Sequence, residues 1–228
     1  MQSQFPPALF LSTLMLLGAS GLGAAEWNQY HGVNSDKKAQ EDLTSASWLN
    51  KGSSQMWKTA TPLGFSSFSV AGGRAFTLIG RTDEDGVNRE VCVALDVKTG
   101  KEAWAVWLDR LDYGHGGGNS GASDNKGGDG PRSTPSVSEG RVYALDADFN
   151  LYCLEATTGK QLWKKSISKQ FGGKNIKWKN ASAPLIEGRL VIVGGGGSGQ
   201  SFLAFDKKTG KLAWKSGSET MTHATPIA

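Results

Sequence analysis

Arg132 and His223 stand at matching places in two phrases of this chain, Arg132-Ser133-Thr134-Pro135 and His223-Ala224-Thr225-Pro226. A guanidinium and an imidazole facing one opening suit an anionic ligand, and either also suits capping of loop carbonyls or pairing with a carboxylate. Trp178 offers a face for stacking on a planar ligand or for covering an apolar edge. The stretch Leu111–Gly130 (LDYGHGGGNSGASDNKGGDG) holds eight glycines in twenty residues. Tyr113, His115, Asp124 and Asp129 are its polar contributors if it is a binding loop, and its Gly-rich composition favours a plain linker. Asp83, Asp85, Asn88 and Glu90 are oxygen donors of the type that Ca²⁺ takes, but they do not fill the frame of a Ca²⁺ loop. Asp85-Gly86 is an ordinary hairpin pair, so a solvated turn is expected there. No motif for a catalytic nucleophile or a zinc site is found, and no residue is assigned as catalytic or as a metal ligand.

The elements that position these groups come from a repeat. Ala94-Leu95-Asp96-Val97-Lys98-Thr99-Gly100-Lys101-Glu102-Ala103-Trp104 recurs at Cys153–Trp163 and at Ala204–Trp214. The tryptophans are spaced by 59 and 51 residues, and Trp57 makes a partial copy 47 residues upstream of Trp104. Around each phrase, short alternating segments are bounded by turns, as strands are. In the first copy the strands read Phe68–Val70, Arg74–Ile79, Glu90–Asp96 and Glu102–Trp107. The second gives Ser133–Ser138, Arg141–Ala147, Leu151–Ala156 and Gln161–Ile167. In the third they are Ala183–Ile186, Arg189–Val193, Phe202–Asp206 and Leu212–Lys215. Nothing apolar persists at helical spacing. Repeats of this length with four strands each predict an all-β propeller of four-stranded antiparallel blades. Trp57, Trp104, Trp163 and Trp214 are then packing units between blades, each burying on the order of 200 Å², and Gly100, Gly159 and Gly210 supply the positive φ of their turns.

The phrase resembles the quinoprotein-type propeller repeat, with its Ala-x-Asp-x-x-Thr-Gly-x-x-x-Trp docking motif, over roughly residues 56–228. Glu26-Trp27-Asn28-Gln29-Tyr30-His31-Gly32 is similar to the opening of bacterial secreted members. The resemblance implies a ring, commonly of eight blades. Its members include quinone-dependent alcohol dehydrogenases and the non-enzymatic outer-membrane assembly protein BamB, and fold kinship alone does not choose between them. Three blades fit here, at about 66–108, 131–168 and 181–218, with a further one starting at 222. An open arc leaves unpaired strand edges, so the chain reads as a fragment of a larger ring. Strand parity puts the Glu-Gly and Thr-Gly-Lys turns on one face and the long loops on the other. Aligned inner strands place Phe65, Arg132, Ala181 and His223 at one mouth of the central channel.

Residues 1–25 lack charged side chains, carry an apolar run from Ala8 to Leu17 and end in small residues. They read as a secretory signal, followed by an N-terminal extension at 26–54 and the partial propeller at 55–228. No Cys follows the apolar run, so no lipid anchor is expected. Cys92 and Cys153 are the only thiols; an exported chain raises a disulfide between them, but they sit on equivalent strands of neighbouring blades at different heights, so both read as small buried apolar residues. A formal charge of +4 spread over Lys-rich turns speaks for solubility and against nucleic-acid binding. The expected product is a periplasmic or secreted, non-catalytic binding or assembly scaffold, its partner another envelope protein or an extracellular ligand, with no cofactor assigned. The alternative is an alcohol or sugar dehydrogenase using pyrroloquinoline quinone and Ca²⁺, with its site largely in the missing blades; that chemistry needs carboxylates at the funnel. The inner-strand positions offer Ser, Thr, Pro and Ala instead, which favours the scaffold.

Overall fold

Period-two alternation sends successive side chains to opposite faces of a strand, and in the middle strands of the blades both faces are covered. In the computed structural model, which describes residues 26–39, 54–111, 130–176 and 178–228, twelve strands form three antiparallel four-stranded sheets. The first blade is β1 (Ser69–Ala71), β2 (Arg74–Thr82), β3 (Asn88–Asp96) and β4 (Glu102–Arg110). The second is β5 (Ser136–Ser138), β6 (Arg141–Leu145), β7 (Asn150–Glu155) and β8 (Gln161–Ser166). The third is β9 (Leu185–Glu187), β10 (Leu190–Gly194), β11 (Phe202–Asp206) and β12 (Leu212–Ser216). Each sheet keeps its strands in chain order. These are blades of a propeller.

The alternation sorts the core into layers between blades. From β6, Val142 and Ala144 pack with Phe76, Cys92 and Trp104 of the first blade. Tyr143 and Leu145, their neighbours on the same strand, pack with Val191, Leu203 and Phe205 of the third. The two thiols fall in different layers, Cys92 in one and Cys153 in the other, and both are free and buried. Burial pushes the Cys153 thiol up to about 12, so it stays protonated and inert.

The repeated turn joins the third and fourth strands of each blade. Asp96 Oδ1 accepts hydrogen bonds from the Lys98 amide (3.0 Å), the Thr99 amide (2.9 Å) and the Thr99 hydroxyl (2.9 Å). Asp206 does the same with Lys208 and Thr209. Those bonds, the Thr ones above all, hold both carboxyls below their ordinary range. In the middle blade Glu155 takes the acid's place and accepts from the Thr158 hydroxyl. Each fourth strand then pairs with the third across a bulge at the same place, Ala94/Leu95, Cys153/Leu154 and Ala204/Phe205, and the first blade has a second at Arg89/Val91.

The docking rule is directional. Trp104 Nε1 donates to Ala156 O (3.0 Å) of the following blade, and its ring lies where a Cβ on Gly159 would come within 3.0 Å. Trp163 Nε1 donates to Lys207 O (3.3 Å) and covers Gly210 in the same way. Trp57 treats Val97 O (2.9 Å) and Gly100 likewise. Trp214 is 41 % exposed, because no blade follows it among the described residues.

Two local features differ from the expected strands. In the first blade, β2 runs on to Thr82, β3 starts at Asn88 and β4 ends at Arg110. Arg81 of β2 is ion-paired with Glu102 at the start of β4, and Arg89 of β3 with Asp83 in the turn that joins β2 to β3. Ile167, expected to end β8, instead starts a short helix, α1 (Ile167–Phe171), which the Ser166 hydroxyl caps at the Lys169 amide and Gly172 ends at φ +72°. Asp83, one of the Ca²⁺-type donors, accepts the Asp85 and Val87 amides at 3.1 and 2.8 Å in a hairpin turn.

Candidate functional site

The inner strands begin with a recurring bond between blades. Thr134 Oγ1 accepts the Ser67 amide at 3.1 Å, and Thr225 Oγ1 accepts the Ala183 amide at 3.0 Å. Each threonine of a Thr-Pro phrase thus anchors the inner strand of the blade before it. This pins the residues two positions upstream at one level around the axis. Phe65, Arg132, Ala181 and His223 accordingly line a single cleft of about 730 Å³.

The cleft has a second wall that the repeat does not announce. Tyr30, His31, Asp36 and Lys37 line it as well. They are delivered by a segment that crosses the inner strands of all three blades. Trp27 pairs with Val70 of β1 (Trp27 N to Val70 O, 2.9 Å; Val70 N to Trp27 O, 2.8 Å). Asn28 O accepts the Val137 amide of β5 at 2.7 Å, and Gln29 Oε1 accepts the Ile186 amide of β9 at 3.1 Å. Near the opposite face, Glu26 Oε1 accepts the Gly72 amide at 3.4 Å in the β1–β2 turn. The segment therefore passes along the axis from the face of tight turns to the face that carries the cleft.

The electrostatics of the cleft are cationic on an aromatic base. The Arg132 guanidinium lies 5.2 Å above the centre of the Phe65 ring, a cation–π contact, and one of its nitrogens donates to Gly130 O at 3.5 Å. His223 Nε2 donates to Lys179 O at 3.0 Å. The Tyr30 and His31 rings meet edge to face at 4.7 Å. Partial burial, with the Lys37 charge adding to it, lowers the His31 pKa below its ordinary value of 6.5, so it is neutral at pH 7. Asp36 Oδ1 accepts the Lys38 amide at 3.0 Å. Such a surface takes an anionic or aromatic group by charge and stacking.

Among the residues expected to bind, the structure brings Arg132 and His223 together. Trp178 is 47 % exposed and lies outside the cleft. Tyr113 and His115, with Asp124 and Asp129, lie outside the described residues. Sequence reasoning gave residues 26–54 no role and so missed Tyr30, His31 and Lys37. The signal available was two adjacent aromatic rings just before Gly32, whose φ is +81°.

A family model described as the outer membrane protein assembly factor BamB matches residues 87–228. The chain belongs to this family of quinoprotein-like propellers. Two solved dehydrogenase structures agree on the fold of this BamB-family chain. Quinohemoprotein alcohol dehydrogenase from Comamonas testosteroni superposes with a TM-score of 0.61 at 20% identity, covering 83% of this chain and 27% of the other. A europium-containing methanol dehydrogenase gives 0.56 at 17%, over 85% and 32%. BamB from Moraxella catarrhalis gives 0.44 at 19%, over 67% and 36%. The chain thus spans about a third or less of the two dehydrogenases. No curated protein matches it. No helix among the described residues is long and apolar enough to cross a membrane.

Proposed function

We propose that the chain is exported and acts as a non-catalytic binding or assembly scaffold in the cell envelope, with the axial cleft and its rim as the contact surface. The observation that carries this reading is the Trp27–Gln29 segment, which runs across the inner strands and is hydrogen-bonded to that of every described blade. Above it the cleft is open and presents Arg132, Lys37 and the rings of Tyr30 and Phe65, a surface for an acidic or aromatic patch of another molecule. The donor set does not fit Ca²⁺, which takes six to eight oxygens: among the described residues, Asp36 is the one carboxylate on the lining, against the cations of Arg132 and Lys37. Two positive side chains to one negative repel a divalent cation.

A photo-crosslinking phenylalanine in place of Phe65, which is 50 % exposed, tests the reading in the native envelope. Adducts with an envelope component are expected from this position. The same group at Lys98, in the Asp96–Gly100 turn on the opposite face, should give none. Equal labelling from both positions, or from neither, removes the cleft as the contact surface. Saturable binding of pyrroloquinoline quinone with Ca²⁺, together with dye reduction by ethanol or glucose, would establish the dehydrogenase instead.

A further inference from the structure

The lysines are not spread evenly along the chain. Between Glu155 and Glu187 there are seven and no acidic residue, and between Asp206 and Glu219 four and none. The matching stretch of the first blade, residues 97–108, has two lysines and Glu102. The outer strands carry much of the difference. β8 reads Gln161-Leu162-Trp163-Lys164-Lys165-Ser166 and β12 Leu212-Ala213-Trp214-Lys215-Ser216, whereas β4 is free of lysine. Charge of one sign is thus gathered on the outer rim of the second and third blades.

The two outer strands make one surface. Lys165 Cε lies 3.2 Å from where a Cβ on Gly210 would stand, so β8 reaches across to the Thr209-Gly210-Lys211 turn. Lys160 and Lys211 hold the same place in their turns, and both are exposed. Beside them Leu162 and Leu212 are exposed as well. Neither leucine owes this to the lack of a following blade. Leu162 stands in the middle blade, with a blade on either side. Gln161 has the register position of Leu212, and it is exposed although the third blade follows it.

The acidic groups nearby are already held. Glu139 pairs with Lys207 at 2.8 Å and Lys208 at 3.5 Å, Asp109 with Lys164 at 3.8 Å, and Asp148 with Lys179. Asp206 accepts the amide and hydroxyl of Thr209, and Glu155 the hydroxyl of Thr158. Lys160, Lys165, Lys169, Lys211 and Lys215 have no ion pair among the described residues.

Five uncompensated ammonium groups on long apolar stems, with two leucines among them, offer charge and apolar contact. They offer few directed hydrogen bonds, because the turn amides and hydroxyls are taken up inside the turns. Such a surface matches a layer of diffuse negative charge over an apolar interior better than it matches a partner with fixed donors and acceptors.

We propose that the outer rim of the second and third blades docks on an anionic phospholipid surface. The five lysines meet the headgroup phosphates, and Leu162 and Leu212 enter the apolar boundary beneath. The axial cleft lies at the inner ends of the same blades and stays accessible.

The test is co-sedimentation of the chain with vesicles of phosphatidylcholine containing about 30% phosphatidylglycerol, beside vesicles of phosphatidylcholine alone. Both are used at about 0.1 M salt, where exposed charges act over ~10 Å. Each lysine at an anionic surface contributes about fivefold in affinity. Lys160→Gln with Lys211→Gln should therefore bind the anionic vesicles about 25-fold more weakly. Lys98→Gln with Lys101→Gln, in the matching turn of the first blade, should lose no more than about twofold, the residue of screened long-range attraction. Leu162→Gln changes no charge and should weaken binding at least about threefold. Far-ultraviolet circular dichroism checks that these exposed positions leave the fold in place. On phosphatidylcholine alone the lysine variants should match the parent chain. The apolar run at residues 8–17 is common to all of them and cancels from each comparison.

The proposal is overturned by an absence of binding to the anionic vesicles. Full affinity in the Lys160/Lys211 variant overturns it too, as does an equal loss in the first-blade variant or on both kinds of vesicle. Unchanged binding by Leu162→Gln removes the apolar entry and with it the membrane as the occupant. Capture by polyglutamate without capture by vesicles would assign the rim to an acidic polypeptide instead. None of these outcomes bears on the crosslinking at Phe65, so the two proposals fail separately.

Discussion

Replacing Trp104 with Ala, beside the same change at Trp214, measures what the docking contact contributes. Trp104 is 9 % exposed, stacks on Phe76 with ring centres 5.8 Å apart and donates to Ala156 O. Truncating a buried large aromatic costs ~3–5 kcal/mol including the cavity left behind. The orphaned Ala156 carbonyl adds ~1 kcal/mol where water does not reach it. A loss of about 4 kcal/mol in a domain of this size corresponds to roughly 8–16 °C in Tm. Trp214 has the same place in its phrase but is 41 % exposed. Its truncation should cost under ~1 kcal/mol, in the range of surface substitutions. Urea unfolding followed by far-ultraviolet circular dichroism provides both values, with the slope compared to check that the transition keeps its character. Equal losses for the two variants would refute the directional docking rule, as would a loss below ~1 kcal/mol for Trp104→Ala.

The glycines of the two turn types should separate in the same assay. Gly159→Ala places a Cβ 2.7 Å from Val106 Cγ2 at a φ of +77°, and should cost ~2 kcal/mol or more from left-handed strain plus the clash. Gly140→Ala meets nothing within 4 Å at a φ of +72° and should show only the ~1 kcal/mol of backbone strain. Asp146, 1 % exposed, supplies a pH signature. Its buried carboxyl is pushed up to about 6, by desolvation first, with the Asp148 and Asp109 charges adding to it. Between its ordinary 3.8 and about 6 the folded chain keeps a proton that the unfolded chain has lost. Stability should therefore fall as pH rises through that window, by at most ~1.4 kcal/mol per pH unit, and level off above it. Asp146→Asn should remove that decline in a series of unfolding curves, and an unchanged slope would show that Asp146 is ionised throughout.

What the sequence made legible was local or periodic. The Asp-x-x-Thr-Gly turn builds itself from side chains within three residues of Asp96, so each copy could be read alone. Alternation in β6 and β7 marked strands buried on both faces. The direction of docking was not legible, because Trp104 and Gly159 belong to different copies and only the packed blades show which Trp meets which Gly. The five residues of α1 are too few to display a helical period. For the candidate site, Arg132 and His223 were found through the Thr-Pro phrases that hold them. Tyr30, His31 and Lys37 were not, since the bonds that place their segment run mostly between backbone groups at Trp27, Val70, Asn28 and Val137. Any residue type offers those groups.

The axial segment also has a consequence for the order of folding. Gln29 and Ile186 are 157 residues apart in sequence, whereas every blade is closed by hairpins between adjacent strands. Closing a loop of that length carries its entropy cost before any bond rewards it, and long-range pairings slow folding. The three anchors for Trp27, Asn28 and Gln29 exist only once β1, β5 and β9 stand at their final angles. A stretch that leaves the ribosome ahead of the three described blades thus settles after them. Until it does, the inner edges of the three sheets stay open to pairing with other chains.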